Sequence, residues 1–342
     1  SEARVVLTVG GRERVSPAHL TPIEGEPGRV RGDDPEAWID APVVLGIAPG
    51  ASTLPSGVPE DRVVTRFGIN LLGGRTARLD GTAIGLGLNW YTDRAEGTMI
   101  AGAGNLVGGD ARAAQFAAGF NHVEGRVDGA QFAAGFNGAN GGGTGAQIAS
   151  IANWSGGGFG GAQLSGGLNW SAGNVSGAQI AAGLNWIQRS DDEAPALDGA
   201  QIAAGVNFAG GALVGLQATA GLNLATGDAH GVQIAAGANL ADGLVDGTQL
   251  TAGLNWARRI EGAQIGVVNV GGSTEGAQIG VVNIATGAVS GTQIGVFNYA
   301  DEVDVPIGVV SVVRRGRFDF ALWADDVNVG NAAFRLGSRY VY

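Results

Sequence analysis

The sequence predicts an all-β protein: a Gly-rich β-solenoid of about 14 coils of 14–16 residues, with non-repeat caps at both ends. Three observations predict it. Gln and Asn columns recur in phase along most of the chain, the residues around them alternate with a period of two, and glycine fills 63 of the 342 positions.

The Gln column runs through Gln115, Gln131, Gln147, Gln163, Gln179, Gln201, Gln217, Gln233, Gln249, Gln264, Gln278 and Gln293. Most steps are sixteen residues, and the last three shorten to fifteen, fourteen and fifteen. The Asn column runs from Asn70 and Asn89 through Asn105, Asn121, Asn137, Asn153, Asn169, Asn185, Asn207, Asn223, Asn239 and Asn255 to Asn269, Asn283 and Asn298. A glycine stands two places before each of most Gln, as at Gly177 and Gly199. Within a unit, Ile180, Ala182, Leu184 and Trp186 share one side, and Gln179, Ala181, Gly183 and Asn185 the other. Helix is excluded by a glycine every few residues and the lack of a 3.6-residue period.

One step is twenty-two residues. The extra six lie between Ile187 and Leu197, in a polar stretch containing Pro195, which reads as a loop at one corner of the coil. Its acidic run, Asp191, Asp192 and Glu193, is a candidate partner-binding loop, because insertions on regular scaffolds often carry recognition.

Two architectures fit these columns: a solenoid with one coil per repeat, or an outer-membrane β-barrel with one strand per repeat. Three observations favour the solenoid. Stacked identical coils let amides hydrogen-bond along the stack, so Asn185, Asn207, Asn223 and Asn239, with Gln201, Gln217 and Gln233, are expected to form a structural ladder. Apolar residues at five-residue steps (Ile279, Ile284, Val289, Ile294, Tyr299) suit short faces that each send one side chain inward. The Gln-to-Asn spacing also shortens from six in Gln179–Asn185 to five in Gln264–Asn269, a slip that would exchange the two faces of a membrane strand. The barrel keeps support from the nine-residue alternation and from Trp90, Trp154, Trp170, Trp186 and Trp256, which follow the column Asn as a girdle would.

The organisation expected is an irregular or small β N-terminal cap over 1–66, a repeat domain over 67–302 and a C-terminal β-strand cap over 303–342. Residues 1–66 hold eight of the ten prolines, and the amide columns end before 303. Caps are needed because an open last coil exposes its edge.

Composition excludes several functions. The net charge is −11 and every basic residue is Arg, so nucleic acid is not an expected partner. With no Cys, disulfides and thiolate metal sites cannot form. His19, His122 and His230 share no ligand spacing, and the column Asp128, Asp198 and Asp246 is not contiguous, so neither a metal site nor a cofactor is expected. Arg314, Arg315 and Arg317 form the one basic cluster. No catalytic motif stands out, and an enzyme is not expected; a β-helix carbohydrate-active enzyme is the third reading, resting on that acidic column.

The units Gly262-Ala-Gln-Ile-Gly-Val-Val-Asn-Val270 and Gly276-Ala-Gln-Ile-Gly-Val-Val-Asn-Ile284 resemble the repeats of a group of bacterial surface-repeat proteins, as does the ending Gly337-Ser-Arg-Tyr-Val-Tyr342. The resemblance covers roughly residue 67 to the C-terminus and transfers no catalytic residue. It implies a secreted or outer-membrane location at the surface of a Gram-negative bacterium. It also implies a truncated form, because further strands can follow this point in that group. Thr292-Gln-Ile294 and Phe297-Asn-Tyr299 bear a weaker likeness to pentapeptide-repeat solenoids.

The function expected is a non-catalytic structural or interaction protein of a bacterial cell surface, presenting a rigid repetitive β face. The partners expected are a protein or polysaccharide at the cell surface, with self-association and membrane contact both open. An integral outer-membrane barrel is the alternative function.

Overall fold

Period-two alternation builds the sixteen-residue coils of the middle of the chain from two strands each. In the coil that begins at Val175, the strand Val175–Ala181 turns at Ala182 and Gly183 into the strand Leu184–Ile187. Val175, Gln179, Ala181, Asn185 and Ile187 are buried, while Ile180 and Ala182 are exposed. The next coil lies parallel and in register, with Val175 opposite Leu197, Gln179 opposite Gln201 and Asn185 opposite Asn207.

A computed structural model describes residues 38–188 and 194–316, and the backbone of four further strands: Ala3–Val9, Arg12–Ala18, Arg317–Trp323 and Asn331–Gly337. The fold is an all-β solenoid of about 15 turns with almost no helix. Strands pair in parallel with those one coil away. An up-and-down membrane barrel instead pairs neighbouring strands antiparallel, so the barrel alternative gives way to the solenoid.

Stacking extends beyond the amide columns at both ends. Ile39–Ala48 already pairs in parallel with Val63–Asn70, and Glu302–Val313 with Ala288–Ala300. The outermost coils lack the Gln and Asn pattern. The segments Ala3–Val9 with Arg12–Ala18, and Arg317–Trp323 with Asn331–Gly337, are antiparallel pairs.

The chain forms two compact units, Ser1–Ala118 with His122–Glu124, and Gly119–Asn121 with Gly125–Tyr342. In the first unit, Val63, Ala77, Leu79, Ala95 and Met99 are fully buried. Tyr91 is buried beside them, and desolvation raises its phenol well above the ordinary range. In the second unit, Val175, Ile187, Leu197, Leu213, Val245 and Ile260 belong to one apolar cluster on the turn side of the coils.

Two expectations are corrected here. Asn70 is not in the column of Asn89: it stands opposite Gly85, while Gly74 stands opposite Asn89. Asn70 nevertheless donates from Nδ2 to Asn89 Oδ1 at 2.6 Å, because its side chain fills the space over Gly74. The five-residue series is also not a series of inward residues. Val289 is buried, but Ile279 and Ile294 point out, because the inward positions beside them belong to Gln278 and Gln293.

The shortened spacing is absorbed at the corner as expected. Gln264 still bonds to Gln249 at 2.8 Å, and Asn255 to Asn269 at 2.8 Å. The long step also leaves the stack in register, so the insertion falls between Ile187 and Leu197. Asp191, Asp192 and Glu193 lie outside the described residues.

The glycine two places before most Gln has two separate causes. Gly199 has φ of +140°, and a Cβ there would sit 2.0 Å from the carbonyl oxygen of Gly177 in the coil below. Both the left-handed backbone and the close approach forbid a side chain. Gly199→Ala is expected to lower stability by about 3 kcal/mol, whereas Ser176→Ala, on an exposed position of the preceding coil, should be near neutral. Urea unfolding of the two variants checks this.

Candidate interaction surface

The interior of the second unit is divided. Its turn side is apolar, and its corner side is filled by primary amides, all fully or almost fully buried. Each Gln from Gln147 to Gln293 donates from Nε2 to the Oε1 of the Gln one coil earlier, at 2.7–2.9 Å. Each Asn from Asn121 to Asn283 donates the other way, from Nδ2 to the Oδ1 of the Asn one coil later, at 2.8–3.0 Å. The two ladders therefore run antiparallel, and their amide dipoles oppose.

The same amides join the two strands of each coil. Asn185 Nδ2 lies 3.0 Å from Gln179 O, and Gln201 Nε2 lies 3.1 Å from Phe208 O. Backbone carbonyls only accept, so these contacts fix which end of each amide is nitrogen. Asn223 shares its N–H groups among Gln217 O at 3.1 Å, Ile234 O at 2.8 Å and Asn239 Oδ1 at 2.9 Å. The expected ladder residues Asn185, Asn207, Asn223, Asn239, Gln201, Gln217 and Gln233 all stand in these two rows.

The ladders need terminators. In the first unit, Gln115 Nε2 meets Met99 Sδ at 3.5 Å, where a further Gln would stand. At the other end, Asn298 Nδ2 meets Ser311 Oγ at 3.2 Å. Gln293 Oε1 has no donor, because Pro306 faces it from the next coil.

Amides inside put aliphatic and aromatic residues outside, since alternation sends every second side chain outward. Ile180, Ile202 and Ile234 are each about 40% exposed and share one column, continued by Leu250, Ile265, Ile279, Ile294 and Ile307. Past the corner runs a second column that includes Trp154, Trp170, Trp186 and Phe208, with Trp186 and Phe208 stacked at 3.8 Å between centroids. In the short coils the corner opens into a shallow apolar trough of about 720 Å³. Ile265, Ile279, Ile294 and Ile307 form one wall, Val267, Val281, Val296 and Val309 the other, and Gly266, Gly280, Gly295 and Gly308 lie between them.

Charge is absent from this side. The segments 129–139, 145–155, 161–171, 177–187, 199–209, 215–225, 231–241, 247–257, 262–270, 276–284 and 291–299 contain no Asp, Glu, Arg or His. This is the signal that reading the columns for their amides missed; a count of charges by coil position would have found it.

The ionisable residues of the second unit gather instead at the turns and along one edge. Asp246, Glu261 and Glu275 occupy successive coils of one column; Arg259 bridges Glu261 at 2.6 Å and Glu275 at 3.2 Å, and His230 lies 3.4 Å from Asp246. Arg258 pairs with Asp242. Of the basic cluster, Arg314 grips Asp301 with two bonds of 2.6 and 2.7 Å and holds its carboxyl below the ordinary range, and Arg315 lies 3.7 Å from Glu302. Asp128 and Asp198 take their expected places in the acidic column. Among the described residues, no group of three His, Asp or Glu is placed to hold a metal ion.

No protein family, curated protein or solved structure matches this chain at a significant level.

The buried amides make a sharp test. Asn223→Asp replaces three buried N–H contacts with an acceptor facing carbonyl oxygens, and should lower stability by about 3 kcal/mol. Asp198→Asn, on an exposed edge, should change it by less than about 0.5 kcal/mol. The comparison is of urea midpoints; equal midpoints would mean the amide contributes nothing.

Proposed function

We propose that this chain is a non-catalytic structural or interaction protein of a bacterial cell surface, which holds its uncharged outer face against a partner. One observation carries the reading: eleven consecutive coils present aliphatic and aromatic side chains to solvent in segments without a single Asp, Glu, Arg or His. Monomeric proteins rarely leave a contiguous apolar patch of more than a few hundred Å² uncovered.

The arrangement of charge supports a non-catalytic role. The carboxylates nearest one another are engaged by Arg259 or His230 on an open edge, whereas acid–base chemistry needs carboxyl groups converging on a cleft. Trp186 and Phe208 stack on each other, so the ring faces they share are closed to a sugar. The surface location rests on the resemblance of the repeats to those of bacterial surface-repeat proteins.

Because the chain has no Cys, single-cysteine reporters are clean. On intact producing cells, Thr226→Cys at an exposed turn should react with a membrane-impermeant maleimide, while Ile234→Cys on the face should be protected. Dilute purified protein should react at both positions. Labelling of Thr226→Cys only after lysis would overturn the surface location, and equal labelling of both on intact cells would overturn the occupied face.

A further inference from the structure

The last stacked coil leaves one end of the solenoid interior open. Glu302–Val313 pairs with Ala288–Ala300, and the apolar cluster of Ala285, Val289, Ala300 and Val303 reaches as far as Val313. From Asn105 to Asn298 the Asn column is at most 1% exposed, yet Ser311, its next member, is exposed. Pro306 and Val313 are half-buried, whereas Gln293 and Ala300 opposite them are fully buried. Three inward positions are therefore uncovered together, and the Asn ladder ends at a hydroxyl that meets water.

A stack of coils needs a terminal element that is apolar towards the interior and polar towards water. The segment that follows has this pattern. In the antiparallel pair of Arg317–Trp323 with Asn331–Gly337, Phe318 stands opposite Leu336, Phe320 opposite Phe334 and Leu322 opposite Ala332. Alternation places these six residues on one face of the pair, and Arg317, Asp319, Asn331 and Arg335 on the other. Two strands alone are marginal in water, so the pair needs a surface against which to bury its apolar face.

The connection delivers the pair to the rim of the open end. Backbone N–H groups of Arg314 and Arg315 donate to Ala300 O at 2.9 Å and Asp301 O at 2.8 Å, and the two guanidinium groups meet Asp301 and Glu302. The chain is thus held on the preceding turn. Gly316 N–H then donates to Val313 O at 3.0 Å and closes a reverse turn, so the pair begins one residue beyond it. So short a tether gives an effective concentration of roughly millimolar, about a thousand times that of a second copy at ~1 µM.

We infer that the antiparallel pair of Arg317–Trp323 and Asn331–Gly337 is a lid that closes on this end of the solenoid, its Phe-rich face against Pro306, Ser311 and Val313 and its polar face to water. The lid acts on the end of the stack, and it holds whatever meets the uncharged outer columns.

A single cysteine at Ser311 tests the lid in the full chain. In purified protein at ~1 µM, Ser311→Cys should react with maleimide at least ~30-fold more slowly than Thr226→Cys at an exposed turn, because labelling must wait for the lid to open. Adding Phe320→Asp puts a charge on the closing face and should bring Ser311→Cys to within about three-fold of Thr226→Cys. Ala321→Asp, one residue on and on the polar face, should leave the protection in place. Both variants should keep the circular dichroism spectrum of the parent, since the stacked coils are untouched. Equal labelling of Ser311→Cys and Thr226→Cys in the parent would overturn the lid, as would protection that survives Phe320→Asp or is lost equally with Ala321→Asp. Protection that appears only as the protein is raised towards ~100 µM would assign the end to a second copy and overturn it too.

Discussion

A primary amide buried without partners is costly, and this fold depends on how it meets that constraint. Each Gln and Asn must find donors and acceptors inside a space that water does not reach, and an identical amide one coil away supplies both. Stacking identical residues is therefore not ornament but the condition under which the interior can be polar. It explains why Asn239 follows Asn223 in register, and why the ladders stay unbroken across the long step at Asn185–Asn207. Opposed directions of the Gln and Asn rows keep either end from accumulating a large dipole. Within a chain of hydrogen bonds each member also polarises the next.

From that constraint the exterior follows. In a strand, the residue beside an inward Gln points out, and here that residue is usually Ile; the residue after an inward Asn is often Trp. The surface is apolar because the interior is not. The usual sorting is reversed on the corner side and kept on the turn side, where Val175, Leu197 and Leu213 pack as an ordinary core. Exposed ion pairs such as Arg258–Asp242 and Arg314–Asp301 join neighbouring coils but add little stability. Their effect is to keep the charged edge wetted beside the uncharged columns.

Much of this was legible in the sequence. The columns gave the coil length, the stacking and the burial of amides such as Asn223, because a ladder is a statement about identical neighbours. What stayed hidden was which side the isoleucines face. The series Ile279, Ile284, Val289, Ile294 and Tyr299 suggested inward apolar residues, on the assumption that hydrophobic means inside; satisfied amides remove that assumption. Asn70 misled for a related reason. It aligns with the Asn column by step length, yet it belongs four residues earlier in its coil and serves the ladder by reaching over Gly74. In the outermost coils backbone pairing, unlike an amide ladder, leaves no recurrent side chain to read.

The central claim is that the side-chain amides are structural hydrogen-bonding groups shielded from water, equivalent in that respect to the backbone of the strands. Hydrogen exchange of individual side-chain amides, followed by nuclear magnetic resonance, tests it most directly. The Nδ2 hydrogens of Asn223 and the Nε2 hydrogens of Gln217 should exchange as slowly as the backbone N–H groups of Leu213–Thr219, over times on the order of hours. Exchange within seconds, at the rate of an exposed amide, would contradict the account.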